Sequence, residues 1–171
     1  MIEQLYREHH RFVWRSLRRM GVDPDGLEDA VQEVFVVAAR RLDTFEGRSS
    51  VKTWLFSIAM GVFRNERRAT TRRRRRLAAI AWVQQAFSPS TKSTAHDRVE
   101  LMDVLMSLDE EARAIVVLME LEGMSGREVA DALGLSMHAV YRRHRNACRS
   151  LETHFAVADG PTGEGRIRWT A

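Results

Sequence analysis

GREVADALGLSMHAVYRRHRNACRSL, residues 126 to 151, is the stretch on which the reading of the fold turns. Val129, Ala130 and Leu133 recur at helical spacing and form the inner face of a short helix, with small Ala130 where two helices would cross closely. Gly134 supplies the turn, Leu135 plugs the corner, and Ser136 can cap a second helix. Val140, Ala147 and Leu151 continue the inner stripe. Beyond Ser136, the side chains of His138, Tyr141, Arg142, Arg145 and Arg149 stay outside, long enough to reach base edges and phosphates. This is the grammar of a helix-turn-helix. A helical hairpin whose arginines merely face solvent is the plain alternative, but glycine turn, caps and basic outer face agree on DNA. His144 interrupts the inner stripe and is expected to be a partly buried, hydrogen-bonded structural histidine. Cys148 reads as an ordinary helix residue.

The rest of the chain is also helical, with no sustained strand-like alternation. Ile2 to Met20 places Leu5, His9, Phe12, Val13 and Leu17 on one face, and Gly21 offers a stop. Asp25 with Glu28 resembles a capping pair for a second helix carrying Leu27, Ala30, Val31, Val34, Phe35, Ala38 and Leu42. DTFEGRSS, residues 43 to 50, reads as a loop, and a third helix from about Val51 buries Trp54, Leu55, Ile58, Ala59, Val62 and Phe63. Phe56 lies off that stripe and is expected at the surface. The third helix runs into RNERRATTRRRRR, which a flexible solvated tract could equally produce. Residues 85 to 97, QAFSPSTKSTAHD, are polar and linker-like. Val99, Met102, Leu105 and Met106 then point inward, Ser107 with Glu110 forms one expected capping box, and Ser125 with Glu128 a second. Ile115, Val116, Leu118 and Met119 lie between them, ending at Gly123. The expectation is an all-α fold: two small helical domains, 1–76 and 98–154, joined by a flexible linker over 77–97, with a flexible tail over 155–171.

Composition narrows the function classes. Lys and Arg number 27 against 23 Asp and Glu, and 44% of the 171 residues are hydrophobic, enough for packed cores. Lys52 and Lys92 are the only lysines, so the positive charge is nearly all guanidinium, the better fork for phosphate and guanine. A single cysteine, Cys148, excludes an internal disulfide and a thiolate-rich zinc site. Apolar runs such as VFVVAA and LAAIAWV fall far short of the roughly 20 residues of a membrane helix, and no secretory signal is apparent. A cytoplasmic protein without membrane insertion is expected. No nucleotide-binding glycine loop, nucleophile elbow or ligand-spaced His and carboxylate set occurs, so neither catalysis nor a metal or other cofactor is expected.

One feature stands against the basic balance. EDAVQEVF, residues 28 to 35, sets Asp29, Gln32 and Glu33 on one helical face. Val36 lies a turn further along it. An acidic face does not bind DNA, so it needs a different partner.

EDAVQEVFVVAARRLDTFEGRSSVKTWLFSIA, then a basic helix, a polar linker and a helix-turn-helix, resembles the two-domain extracytoplasmic-function sigma factors of bacterial RNA polymerase, within the sigma-70 family. The likeness spans about residues 2 to 154. It implies that Asp29, Gln32, Glu33 and Val36 dock on the β′ coiled coil of core RNA polymerase. It implies that Phe45, Gly47, Arg48, Ser49 and Ser50 of the loop, with Phe56, Arg64, Asn65, Arg67 and Arg68, engage the minus-10 DNA. The helix through Trp54 and Asn65 would stabilise the melted strand. Ser136, His138, Tyr141, Arg142, Arg145 and Arg149 would read the minus-35 element. Further implied partners are the polymerase β flap, promoter DNA and an anti-sigma factor. Three departures stand out: Gly61 where many members carry Asn, Tyr141-Arg142 in place of a frequent Lys-Ser, and a linker without the acidic residues often found there. A stand-alone helix-turn-helix regulator is the competing reading, but it leaves EDAVQEVF and the loop without a role. An all-α interaction protein or anti-factor is a third.

Overall fold

The computed structural model describes residues 2–81 and 96–158, with side chains for 2–72 and 101–153. Helices α1 (Ile2–Met20), α2 (Pro24–Arg41) and α3 (Val51–Ala81) form a first unit. Helices α4 (His96–Ser107), α5 (Glu110–Val116), α6 (Gly126–Leu133) and α7 (Met137–Ala158) form a second. A 3₁₀ turn, Leu42–Thr44, follows α2, and a π-helical segment, Val117–Leu121, extends α5. Among the described residues there is no strand. Helix α3 persists through residues 77–81, and α4 begins at His96, so the helices reach into both ends of the span expected to be linker. Most of that span, and the tail beyond Ala158, lie outside the described residues.

The caps explain where the helices begin and end. Gly21, at φ 95°, closes α1: its own N–H reaches the Arg18 carbonyl and that of Val22 reaches Leu17, a pairing open to a residue that tolerates the left-handed region. Asp23, not Asp25, caps α2, accepting from the Asp25 N–H at 3.1 Å with Pro24 in the first turn. Proline at the first helical position moves the boundary upstream. Asp109 rather than Ser107 caps α5, accepting from the Ala112 N–H at 2.9 Å. The Ser107 hydroxyl instead donates back to the Val104 carbonyl within α4. Ser125 and Glu128 do form the expected reciprocal box at the start of α6.

Phe12, Val13 and Leu17 of α1, Val31, Val34 and Ala38 of α2, and Leu55, Ile58 and Phe63 of α3 close the first core. Phe56, expected at the surface, is 1% exposed and belongs to this core. Helix α3 meets α1, α2 and α6, so it buries a wider arc than one stripe, including the adjacent pair Leu55 and Phe56. Met106, expected inward, is half-exposed, with Val104, Leu105 and Leu108 facing the core of the second unit instead. The two units are also continuous. Ala114, Ile115 and Leu118 join the first core, while Ala112, Val116 and Val117 pack with α4 and α7. Apolar residues on two sides of α5 and its extension pack in different directions, which wedges this segment between the units.

Candidate partner and nucleic-acid interfaces

Helix α2 buries Ala30, Val31, Val34, Phe35 and Ala38, and this rotation leaves Asp29, Gln32, Glu33 and Val36 exposed together. Val36 is 42% exposed, an apolar centre beside the carboxylates. The Trp14 indole N–H donates to Glu28 Oε1 at 2.8 Å, holding the acidic end of α2 against α1. Between α2 and α3 runs a cleft of about 480 Å³, lined in part by Asp29, Glu33, Arg41, Ser57, Gly61 and Asn65.

Glu66, which carried no expectation, also lines that cleft. A Cβ on Gly26 would sit 2.9 Å from Glu66 Oε1, so the missing side chain at Gly26 lets this carboxylate approach the first turn of α2. Its other oxygen is buried without a hydrogen-bond partner. Burial, then the charges of Asp23 and Asp29, push the Glu66 carboxyl above its usual range.

The 43–50 loop leaves the 3₁₀ turn with Phe45 half-buried, its ring 4.8 Å from that of Trp54. Gly47 holds φ 67°, and Arg48, beside it, pairs with Glu46. Ser50 starts α3: its hydroxyl meets that of Thr53 at 2.8 Å and accepts from the Thr53 N–H at 3.2 Å. Arg64, Asn65, Arg67 and Arg68 are exposed along α3, whereas Phe56 points into the core and cannot join them. A groove of about 440 Å³ collects Arg64, Arg67, Arg68 and Arg72 together with Glu110.

In the second unit, Gly134 adopts φ 66° and the Leu135 N–H reaches the Ala130 carbonyl, turning the chain from α6 into α7. The Ser136 hydroxyl accepts from the Ala139 N–H at 3.2 Å. His138, Tyr141, Arg142, Arg145 and Arg149 are all exposed on α7. Tyr141 is partly anchored, because a Cβ at Gly126 would lie 2.6 Å from its ring and hydroxyl. Glycine there seats the ring against the start of α6. His144 Nε2 lies 2.7 Å from Glu120 Oε1 and 3.5 Å from Cys148 Sγ. The π-helical segment carries Glu120, and the histidine that breaks the α7 stripe finds its partner there. Burial, followed by Glu120 and Glu152, pushes the Cys148 thiol up, which disfavours its thiolate.

Ion pairs join the units. Glu110 accepts from Arg64 Nε at 2.6 Å and from Arg67 at 2.9 Å. Burial alone would raise the Glu110 carboxyl, but the hydrogen bonds and charges of the two guanidinium groups outweigh it and hold the carboxyl below its usual range. Glu122, its side chain 2% exposed, accepts from Arg15 at 3.1 and 2.7 Å and from Arg19 at 2.5 Å. Arg113 is 8% exposed and meets only carbonyls: Met20 at 2.7 Å, Leu105 at 2.8 Å, Leu108 at 2.9 Å, and Met106 at 3.4 Å. Sequence reasoning missed this set. Arg113 alone left a signal, a charge in the apolar run around Ile115; nothing local marks Glu110 or Glu122 as partners of residues far upstream.

Two helical units, the second a helix-turn-helix with a basic outer face and the first with an acidic one, match known regions in the same order. Residues 5–73 match Sigma-70 region 2, and residues 98–151 match Sigma-70, region 4. The chain belongs to the sigma-70 family, in its extracytoplasmic-function group, whose members act in promoter-specific transcription initiation. It is 32% identical over 165 residues to the ECF RNA polymerase sigma factor SigX of Bacillus subtilis (strain 168), covering 90% of this chain and 82% of that protein. It is 33% identical over 154 residues to the RNA polymerase sigma factor NccH of Alcaligenes xylosoxydans xylosoxydans, covering 86% and 83%. Among solved structures, CnrH in complex with the cytosolic domain of CnrY superposes with a TM-score of 0.69 at 27% identity, covering 91% of this chain and 88% of that one. The sigma factor RpoE bound to the anti-sigma factor NepR, from Bartonella quintana, shares the fold with a TM-score of 0.69 at 23% identity, covering 91% and 96%. Among the described residues, no helix is long and apolar enough to cross a membrane.

Proposed function

We propose that this chain binds core RNA polymerase through Asp29, Gln32, Glu33 and Val36 of α2 and directs initiation by reading both promoter elements. The loop of Phe45, Gly47, Arg48, Ser49 and Ser50, with Arg64, Asn65, Arg67 and Arg68, takes the minus-10 element and its melted strand. Unstacking a base costs a few kcal/mol, which a pocket must return; Gly47 allows close backbone approach, and the serines offer hydrogen bonds of suitable reach. The arginines add affinity without sequence information. Ser136, His138, Tyr141, Arg142, Arg145 and Arg149 of α7 read the minus-35 element in the major groove. The factor is non-enzymatic, uses no cofactor, works in the cytoplasm, and has an anti-sigma protein as a further partner. The polymerase meets it at the β′ coiled coil and the β flap.

The observation that carries this reading is the exposure, in one chain, of an acidic-apolar face on α2 and a separate arginine face on α7. A stand-alone regulator needs only the second. Transcription reconstituted with purified core polymerase on a promoter selected by the factor tests it. Initiation requires both proteins; sequence-specific binding without polymerase, and no initiation with it, would favour the stand-alone regulator.

A further inference from the structure

Tyr141 lies early in α7, with His138 before it and Arg142 and Arg145 after it on the exposed face. The N-terminal part of a recognition helix is the part that meets base edges. Yet this ring does not project freely. A Cβ built on Gly126 would stand 2.6 Å from Tyr141 Cζ, 2.6 Å from its Oη and 3.0 Å from its Cε2. Gly126 is buried, and its backbone is helical and open to any residue, so the close approach of the ring is what glycine provides here.

This contact decides which part of the tyrosine faces outward. The hydroxyl end and the Cε2 edge are turned toward α6, while the residue remains 46% exposed. The opposite edge, all carbon, is the one left to the groove. A hydroxyl held at α6 is poorly placed to search for a base acceptor, whereas a carbon edge has one apolar counterpart in the major groove, the thymine C5-methyl. A seated ring also gives up little rotamer freedom on binding, a cost that a free side chain at an exposed helical position would meet in full.

We propose that Gly126 is a positioning residue for minus-35 reading: it seats the Tyr141 ring against α6 so that the outer carbon edge meets a thymine methyl group. This rests on α7 reading the minus-35 element, and it gives Tyr141 a base type in place of a general contact. Tyr141 then distinguishes an A·T pair, where the arginines of the same face suit guanine or phosphate.

The test uses holoenzyme reconstituted from the full chain and core polymerase. The selected promoter duplex competes with duplexes in which each minus-35 thymine is replaced in turn by deoxyuridine, which keeps every hydrogen-bonding group and lacks only the methyl. Wild type is expected to prefer thymine about fourfold at one position, the worth of one buried methyl group. Tyr141→Ala should lose that preference and Tyr141→Phe should keep it. Gly126→Ala is the deciding variant, because the ring tip it meets is the free end of a side chain that can swing away. It should bind the thymine duplex about fourfold more weakly and the deoxyuridine duplex as wild type does. Equal weakening on both duplexes would show a merely structural role and overturn the proposal. So would a wild type indifferent to every methyl, a selected element without thymine, a Gly126→Ala that keeps the preference, or a Tyr141→Phe that loses it. Gly126→Ala with Tyr141→Ala, in which the clash is gone, covers the case of a single variant that misfolds. It should match Tyr141→Ala alone, and any further loss would place the role of Gly126 outside the tyrosine and overturn the seat. Failure of the underlying reading looks different: Arg142→Ala and Arg145→Ala would leave competition among minus-35 variants unchanged, and the proposal would fall with it.

Discussion

Arg113→Met should be among the most destabilising single changes in the protein. Methionine keeps most of the stem volume but removes every guanidinium donor. The Met20, Leu105 and Leu108 carbonyls then lose bonds of 2.7, 2.8 and 2.9 Å; they end helices α1 and α4, where intrahelical partners are scarce. Burial, and next the charge of Arg67, hold the Arg113 pKa below its usual value, with Glu110 and Asp109 only partly offsetting them. The carbonyls are therefore what offsets desolvation, and their loss is not replaced by another charge. The Leu105 carbonyl keeps the Leu108 N–H at 3.2 Å, so the loss falls mainly on Met20 and Leu108, and leaving such acceptors unpaired costs about 1–3 kcal/mol each. Met106 beside them is half-exposed, so water recovers part of this, and roughly 3 kcal/mol remains. For a chain of this size that is a fall in melting temperature of about 6–12 °C. Arg113→Lys should fall between, since one ammonium cannot span carbonyls in three directions. Thermal melting followed by circular dichroism measures both. An unchanged midpoint for Arg113→Met would refute the reasoning, because it would mean the guanidinium contributes nothing net to the joint between the units.

Asp29→Arg with Glu33→Arg should abolish co-purification with core polymerase while the far-ultraviolet spectrum stays native, since both side chains are exposed and charge reversal across a tight patch costs several kcal/mol. Arg142→Ala and Arg145→Ala should each weaken minus-35 binding, by about 1–3 kcal/mol if the contact is bidentate to guanine, and leave the minus-10 step unchanged; competition among minus-35 variants reads this. Glu66→Gln should stabilise the protein at neutral pH. A carboxyl raised by folding contributes stability that is present below its unfolded pKa and lost as pH rises through the folded one, so neutralising it removes that loss. The midpoint is expected to rise at pH 7, with the gain shrinking as the medium falls to the ordinary carboxyl range, and equal midpoints at pH 7 would count against it.

Helix positions and caps were legible where the signal is local. Gly21, Gly123 and Gly134 all end elements with positive φ, and Ser125 with Glu128 closes its box as the spacing implies. Where two local cappers compete, local reading chose wrongly: Asp23 prevailed over Asp25 through Pro24, and Asp109 over Ser107. The exposed residues of the α2 and α7 faces follow from subtracting the buried stripe, an operation that periodicity supports. Phe56 defeated it, because α3 packs against α1, α2 and α6, its buried arc is wider than one stripe, and no stripe in one helix records its partners. The same limit hid Glu110, Glu122 and Arg113, whose partners lie 46, 107 and 93 residues away.

The two faces lie on different helices and are open in the same structure. Asp29, Gln32, Glu33 and Val36 are exposed on α2, and His138, Tyr141, Arg142, Arg145 and Arg149 on α7. If α2 takes the polymerase and α7 takes duplex DNA, neither contact needs the residues of the other. Asp29→Arg with Glu33→Arg should then reduce polymerase binding and spare binding of the α7 face to minus-35 duplex, while Arg142→Ala should do the reverse. Polymerase pull-down and duplex anisotropy on the same preparations read the two effects. A docking variant that weakened minus-35 binding to the same degree would show that the two faces are coupled through the protein, and the assignment of one partner to each face would have to be abandoned.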